Sequence, residues 1–222
     1  MNDIQLVVFD MAGTTVKDGG QVPAAFASAL SAHGIGVTPD QLTRVRGASK
    51  REAVRQFVPE GPDRARVADL AYADFHARLA ALYERGVEPI DGAEAVFRTL
   101  RAQGVHVALT TGFDRDITAL LVNALGWTAL VDAVVCGDDV KQGRPAPYLI
   151  FHAMEATGVV DVKRVATIGD TTLDLEAGAN AGVAWNVGVL SGAHDRARLE
   201  QAPHTHILTS VAALPTLWPP VG

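Results

Sequence analysis

One stretch near the start constrains this chain more than any other: Leu6-Val7-Val8-Phe9-Asp10-Met11-Ala12-Gly13-Thr14-Thr15. A short apolar run ends on a carboxylate and breaks at once into small residues. That pattern places Asp10 at the carboxyl end of a buried strand, where open α/β sheets put their ligand chemistry. An Asp in this position either caps the following turn or does chemistry. These ten residues alone leave both readings open.

The chain that follows decides between them. From residue 17 to residue 86 helical patterns replace strands. Pro23 to His33 reads as a helix closed by Gly34, and Thr38-Pro39 opens a short helix through Val45. Ser49-Lys50-Arg51-Glu52 reads as a capping box opening a helix to Phe57. Asp63 to Arg85 is one long helix. An all-helical insert directly after the first strand implies a small cap, residues 17–86, laid over the edge of a core formed by residues 1–16 and 87–222. Within the core, helices and strands alternate: helices at Ala93–Ala102, Asp114–Leu125, Pro147–Thr157 and Leu173–Ala181, strands at Val105–Thr111, Ala133–Cys136, Arg164–Ile168, Ala184–Val187 and His206–Leu208. Such alternation predicts an α/β fold with a doubly wound parallel sheet and right-handed crossovers. The Trp218-Pro219-Pro220 tail reads as a plain terminus.

Composition removes several function classes. The chain has 222 residues, 48% hydrophobic and 20% charged, enough to bury a core without staples. Its formal net charge is -6 and it has no basic run, which argues against nucleic acid as a partner. A single cysteine, Cys136, excludes an internal disulfide framework and fits a reducing compartment. It reads as a small buried residue on a strand. No basic leader precedes a long apolar run and no segment approaches membrane-spanning length, so the expectation is a cytoplasmic protein without a membrane partner.

Strand ends carry the chemistry. Asp10, Thr111-Gly112 and Asp170 each close an apolar run, and in a parallel sheet those ends converge on one crevice. Two carboxylates brought together repel unless a cation lies between them, and their hard oxygens favour magnesium. Asp174 lies one helical turn beyond Asp170 and faces the same site. Thr111, the Gly112 amide and Arg144, whose rigid fork suits phosphate, would hold an anion against Asp10. Carboxylate nucleophile, metal, hydroxyl and guanidinium together describe phosphoryl transfer. The histidines show no metal-ligand spacing beyond a weak His204-x-His206, and read as surface or edge residues.

Over nearly its whole length the chain resembles the haloacid dehalogenase superfamily. Four motifs carry the likeness: Asp10 to Thr15, Thr110-Thr111-Gly112, Arg144 before Pro145, and Gly169-Asp170-Thr171-Thr172-Leu173-Asp174. The resemblance implies that Asp10 is the phosphoryl-accepting nucleophile and that Asp10, Asp170 and the Ala12 carbonyl ligate magnesium. It implies that Thr111 and Arg144 hold the phosphoryl oxygens while Asp174 supports both metal and Arg144. Gly13, Thr14, Gly47, Lys50 and Gly112 complete the implied substrate contacts.

One departure narrows the branch. The position two after the nucleophile usually carries the Asp that protonates a leaving alcohol, and here it is Ala12, which transfers no proton. The phosphonatase branch has the same Asp-x-Ala-Gly-Thr-Thr loop, and this chain is also similar to it in Thr110 to Phe113, in Gly-Arg-Pro-x-Pro from Gly143, and in Asn180-Ala181-Gly182. That branch forms a Schiff base on a cap lysine following Gly-x-x, and Gly47-Ala48-Ser49-Lys50 supplies one. Lys50 also opens its helix, where the macrodipole disfavours a cation, and Arg46 and Arg51 lie close in sequence. Cationic neighbours favour the neutral amine that imine formation requires. Ala53 replaces a histidine and Phe113 a tyrosine of that branch, which leaves a second reading: a phosphatase of a small phosphorylated metabolite in which Lys50 only binds charge. A third is a non-catalytic binder of phosphorylated metabolites. The resemblance further implies a small phosphorylated or phosphonate substrate, and a homodimer paired through the caps.

Overall fold

The computed structural model describes residues 4–217, so the Trp218-Pro219-Pro220 tail lies outside the described residues. Among these, six strands form one parallel sheet: β1 Leu6–Asp10, β2 His106–Thr110, β3 Ala133–Val135, β4 Val165–Gly169, β5 Trp185–Val189 and β6 His206–Leu208, in the order β3-β2-β1-β4-β5-β6. Every residue of β1 is buried, as expected of the central strand of a sheet covered on both faces. The expected doubly wound α/β fold is therefore present. β5 runs on to Val189, past the expected end at Val187, because its outer residues pair with β6.

Side chains alternate across the sheet. Val7 and Phe9 face one side with Val107, Leu109 and Ile168, while Leu6 and Val8 face the other with Ala108 and Val165. The first side packs against α5 Ala93–Ala102 and α6 Arg115–Ala124, the second against α7 Tyr148–Thr157 and α8 Thr172–Ala181. Phe97 of α5 is fully buried between Phe9 and Trp127, each ring centroid 5.2 Å away in an edge-on arrangement. Phe97→Ala is expected to lower the unfolding free energy by about 3–5 kcal/mol, read from urea denaturation, because it removes a fully buried ring from between two others.

Four helices lie between β1 and α5: α1 Gln21–Ala32, α2 Pro39–Arg44, α3 Lys50–Phe57 and α4 Arg64–Tyr83. α1 packs on α4 through Phe26 and Phe75, ring centroids 4.3 Å apart. α1 begins at Gln21, ahead of the expected Pro23, because left-handed Gly20 turns the chain into it. Thr38 caps α2 as expected, accepting from the Gln41 amide at 3.2 Å while Gln41 Oε1 accepts from the Thr38 amide at 2.8 Å.

The expected capping box at Ser49 is not formed: its side chain makes no capping hydrogen bond. The first turn of α3 instead docks on the sheet edge, the Lys50 amide donating to the Gly112 carbonyl at 3.1 Å. A core residue beyond β2 thus satisfies a free helix-end donor, which removes the need for a local cap. A second tie joins the insert to the sheet, since Tyr72 on α4 donates its hydroxyl to Asp114, the residue that caps α6.

Candidate active site

The pairing of β1 aligns Asp10 with Thr110 and Phe9 with Ile168. Asp10, Thr110-Thr111 and Gly169-Asp170 therefore finish side by side at the carboxyl edge of the sheet. Cis peptide geometry between Arg144 and Pro145 marks the loop that delivers Arg144 to the same edge. Asp10, Lys50, Arg144, Asp170 and Asp174 are all buried. Residues from five separate segments meet in one place.

Arg144 is the hub. Its Nη1 lies 2.8 Å from Asp10 Oδ1, its Nη2 donates to Thr110 Oγ1 at 2.8 Å, and its Nε lies 2.9 Å from Asp174 Oδ1. The contact to Asp174 Oδ1 is an ion pair without hydrogen-bond alignment. The other Asp174 oxygen accepts from the Thr171 amide at 3.0 Å and from the Thr171 hydroxyl, which fixes the carboxylate at the start of α8. Such a planar fork, held on three edges, presents its charge in one orientation.

Asp170 is set by a different group. Its Oδ1 accepts from Thr14 Oγ1 at 3.1 Å and its Oδ2 from the Ala193 amide at 2.7 Å. Gly13, at φ +95°, passes so close that a Cβ there would sit 2.5 Å from Asp170 Oδ2. No L side chain suits that position, which explains glycine in the loop after Ala12.

Burial pushes the Asp10 carboxyl up to about 8, against the pull of Arg144 and with the help of Asp174 and Asp170. Burial likewise lifts Asp170 to about 6, reinforced by Asp174. Two hard carboxylates held together at such a cost, with the Ala12 carbonyl beside them, are a donor set that suits a small divalent cation. Asp10, Asp170 and Ala12 thus fit magnesium, though among the described residues no group of three or more His, Cys, Asp or Glu side chains gathers as ligands. The remaining coordination positions would belong to water and substrate, as magnesium prefers.

Lys50 enters from the insert. Its ammonium donates to the Ala48 carbonyl at 3.0 Å and lies 5.2 Å from the Phe113 ring centroid. Burial pulls it down to about 8, opposed by Asp10 and reinforced by Arg46 and Arg144. Of the two arginines expected beside it, Arg51 turns away to pair with Asp69 at 3.2 Å and stack on Tyr72 at 4.3 Å. Lys50 shares with Asp10, Ala12, Thr111, Arg144 and Asp170 a narrow cavity of about 20 Å³. That is room for about one water.

The structure brings the expected site residues together, with two differences from expectation. Thr110, given no role in the sequence, is the threonine that meets Arg144, while Thr111 lines the cavity and its hydroxyl accepts from the Phe113 amide at 3.1 Å. The strand register, which aligns Thr110 with Asp10, is the signal that separates the two. The second difference is His194, expected at the surface or an edge. It is buried, its Nδ1 accepting from the Thr172 amide at 3.1 Å and its Nε2 facing the Thr43 carbonyl at 3.4 Å. It thereby links α8 to the insert. Asp18 also lines the cavity and carried no sequence signal, while Arg46, expected only as a neighbour of Lys50, and Thr171, part of the last motif, line it too.

Comparisons with known proteins agree with this geometry. The family described as haloacid dehalogenase-like hydrolase matches residues 4–182. Phosphonoacetaldehyde hydrolase of Bacillus cytotoxicus is 32% identical over 209 residues, spanning 86% of this chain and 78% of that protein. The protein of the same name from Bacillus cereus is 30% identical over 215 residues, 89% of this chain and 80% of its own length. A solved structure of a phosphonoacetaldehyde hydrolase-like protein from Oleispira antarctica superposes with a TM-score of 0.84 at 26% identity, over 97% of this chain and 91% of that one. A predicted phosphoglycolate phosphatase from Haemophilus somnus, 18% identical with a TM-score of 0.82 over 98% of this chain and 99% of its own, shares the fold. Since the matched span takes in the whole set of strand-end residues from Asp10 to Asp174, this chain belongs to the haloacid dehalogenase-like family and is a hydrolase.

Proposed function

We propose that this hydrolase cleaves the carbon–phosphorus bond of phosphonoacetaldehyde or a close relative, with Asp10 accepting the phosphoryl group and Lys50 forming an imine with the substrate carbonyl. The observation that carries this reading is Lys50. A buried amine, its pKa lowered to about 8, shares one narrow cavity with the Asp10 carboxylate. The names of the Bacillus relatives support the same substrate class. In this reading residues 17–86 are a cap that carries Lys50 over a core made of residues 1–16 and 87–222.

The sequence of events follows from the groups present. The neutral Lys50 amine adds to the aldehyde carbon and water leaves, giving an imine that is then protonated. An Asp10 carboxylate oxygen attacks phosphorus as the carbon–phosphorus bond breaks, and the bonding pair passes into the iminium to give an enamine. No alkoxide departs, so Ala12 need not supply a proton. Water cleaves the Asp10 acyl phosphate to inorganic phosphate, and the enamine takes up a proton and hydrolyses to acetaldehyde and free Lys50. Throughout, Arg144 holds the attacking carboxylate and offers its charge to the phosphoryl oxygens, with Thr110 and Asp174 fixing its plane. Magnesium, which Asp10, Asp170 and the Ala12 carbonyl would hold, supplies Lewis-acid neutralisation of the phosphoryl group when bound.

The test is phosphate release from phosphonoacetaldehyde with magnesium supplied, beside borohydride treatment of the same mixture. Turnover that a chelator abolishes, with a two-carbon adduct on Lys50 by peptide mass, is the expected result. Hydrolysis of small phosphate esters with no adduct on Lys50 would make the protein a phosphatase.

A further inference from the structure

The wall of the catalytic cavity contains a second guanidinium that the proposed chemistry does not use. Arg46 and Asp18 form a hydrogen-bonded ion pair whose side chains are 17% and 2% exposed. Asp18 is fully committed: its Oδ1 accepts from the Gly20 and Val22 amides at 3.1 and 3.5 Å, and its Oδ2 takes Arg46 Nη2. Arg46 is not committed. Asp18 engages Nη2, and no other side-chain hydrogen bond of Arg46 occurs among the described residues, so Nη1 and Nε remain available.

Position makes those donors useful. Arg46 and Lys50 together line the catalytic cavity, and they also line a small void with Val22, Phe26, Leu42 and Val45 that neither Asp10 nor Arg144 reaches. Arg46 therefore stands beside Lys50, whose ammonium it disfavours, and its charge also reaches Asp170. A buried ion pair gains little net stability, since desolvation offsets the attraction. The Arg46 side chain lines the cavity, and a guanidinium with donors to spare is a receptor for a carboxylate.

We propose that Arg46, held by Asp18, is a specificity-determining residue that binds a carboxylate next to the carbonyl carbon of the substrate. The substrate class is then a 2-oxo carboxylate with a phosphonate on the adjacent carbon. This rests on the carbon–phosphorus cleavage proposed above. The chemistry balances as for the aldehyde: Lys50 condenses with the ketone and water leaves. The bond to phosphorus breaks as its pair enters the iminium, Asp10 takes the phosphoryl group, and hydrolysis releases phosphate and a 2-oxo acid.

The probes are 3-phosphonopyruvate and phosphonoacetaldehyde, compared by kcat/KM for phosphate release. Wild type is expected to favour the carboxylate-bearing probe, and Arg46→Met to reduce the ratio of the two kcat/KM values by roughly 10²-fold, as for a charged partner left unpaired in a closed site. Because Arg46→Met leaves Asp18 buried without its cation, the double variant Asp18→Asn, Arg46→Met is measured beside it and is expected to show the same ratio. A wild type that favours the aldehyde, or variants that lower both probes alike, would overturn the role of Arg46 while leaving carbon–phosphorus cleavage intact. No phosphate from either probe, with no borohydride adduct on Lys50, would remove both.

Discussion

Lys50→Arg is expected to lower phosphate release from phosphonoacetaldehyde by at least roughly 10³-fold, because the variant keeps the charge and loses the nucleophile. A guanidinium does not deprotonate at any pH the protein tolerates, so no imine forms. The native amine behaves otherwise. Its pKa is lowered to about 8, so it is protonated and unreactive below that pH and free above it. Wild-type kcat/KM should therefore fall as pH drops below about 8. The mutant should show no borohydride adduct at any pH. Retention of turnover in Lys50→Arg within about tenfold would mean that the residue only binds charge.

Asp10→Asn is expected to abolish phosphate release altogether, a loss of roughly 10⁴-fold or more, since the amide neither attacks phosphorus nor forms an acyl phosphate. Stability should move the other way. Burial raises Asp10 from 3.8 to about 8, so the carboxyl favours the fold at low pH and that contribution is lost as pH rises through this window. At neutral pH the isosteric amide avoids that penalty, and Arg144 keeps Asp174 at 2.9 Å as its partner. The melting temperature of Asp10→Asn should thus equal or exceed that of wild type. A variant that melts well below wild type would show instead that the Arg144 pair supports the fold. Calorimetry at pH 7 and phosphate release on the same preparation separate the two effects.

Much of this was legible before any coordinates. Period and punctuation gave the strand–helix alternation, and a continuous apolar run ending in Asp10 marked the central strand. Three of the four motifs lie at strand ends, which parallel strands bring together whatever the sequence distance, and the fourth, at Arg144, arrives on a loop. What stayed hidden depends on register and on contacts across the sheet edge. Thr110 and Thr111 are chemically identical in sequence, and only pairing with β1 shows which one meets Arg144. Ser49-x-x-Glu52 satisfies the local rule for a cap, yet a carbonyl from Gly112 takes the donor that a cap would serve. His194 lies on a connection after β5, where an exposed residue is the natural expectation, and long-range contacts with Thr172 and Thr43 bury it. Arg46 and Asp18 are separated by 28 positions and belong to no motif.

The size of the cavity has a consequence for how fast such a protein can work. A space of about 20 Å³ takes about one water, so a larger ligand would have to widen it. Three ties hold α3 and its neighbours on the sheet edge against any wider opening: the Lys50 amide to the Gly112 carbonyl, His194 against the Thr43 carbonyl, and Tyr72 to Asp114. Shifts of elements held in this way run on microsecond to millisecond timescales. The same ties would keep bulk solvent from any reactive species formed between Asp10 and Lys50, so the seam that slows admission is also a shelter.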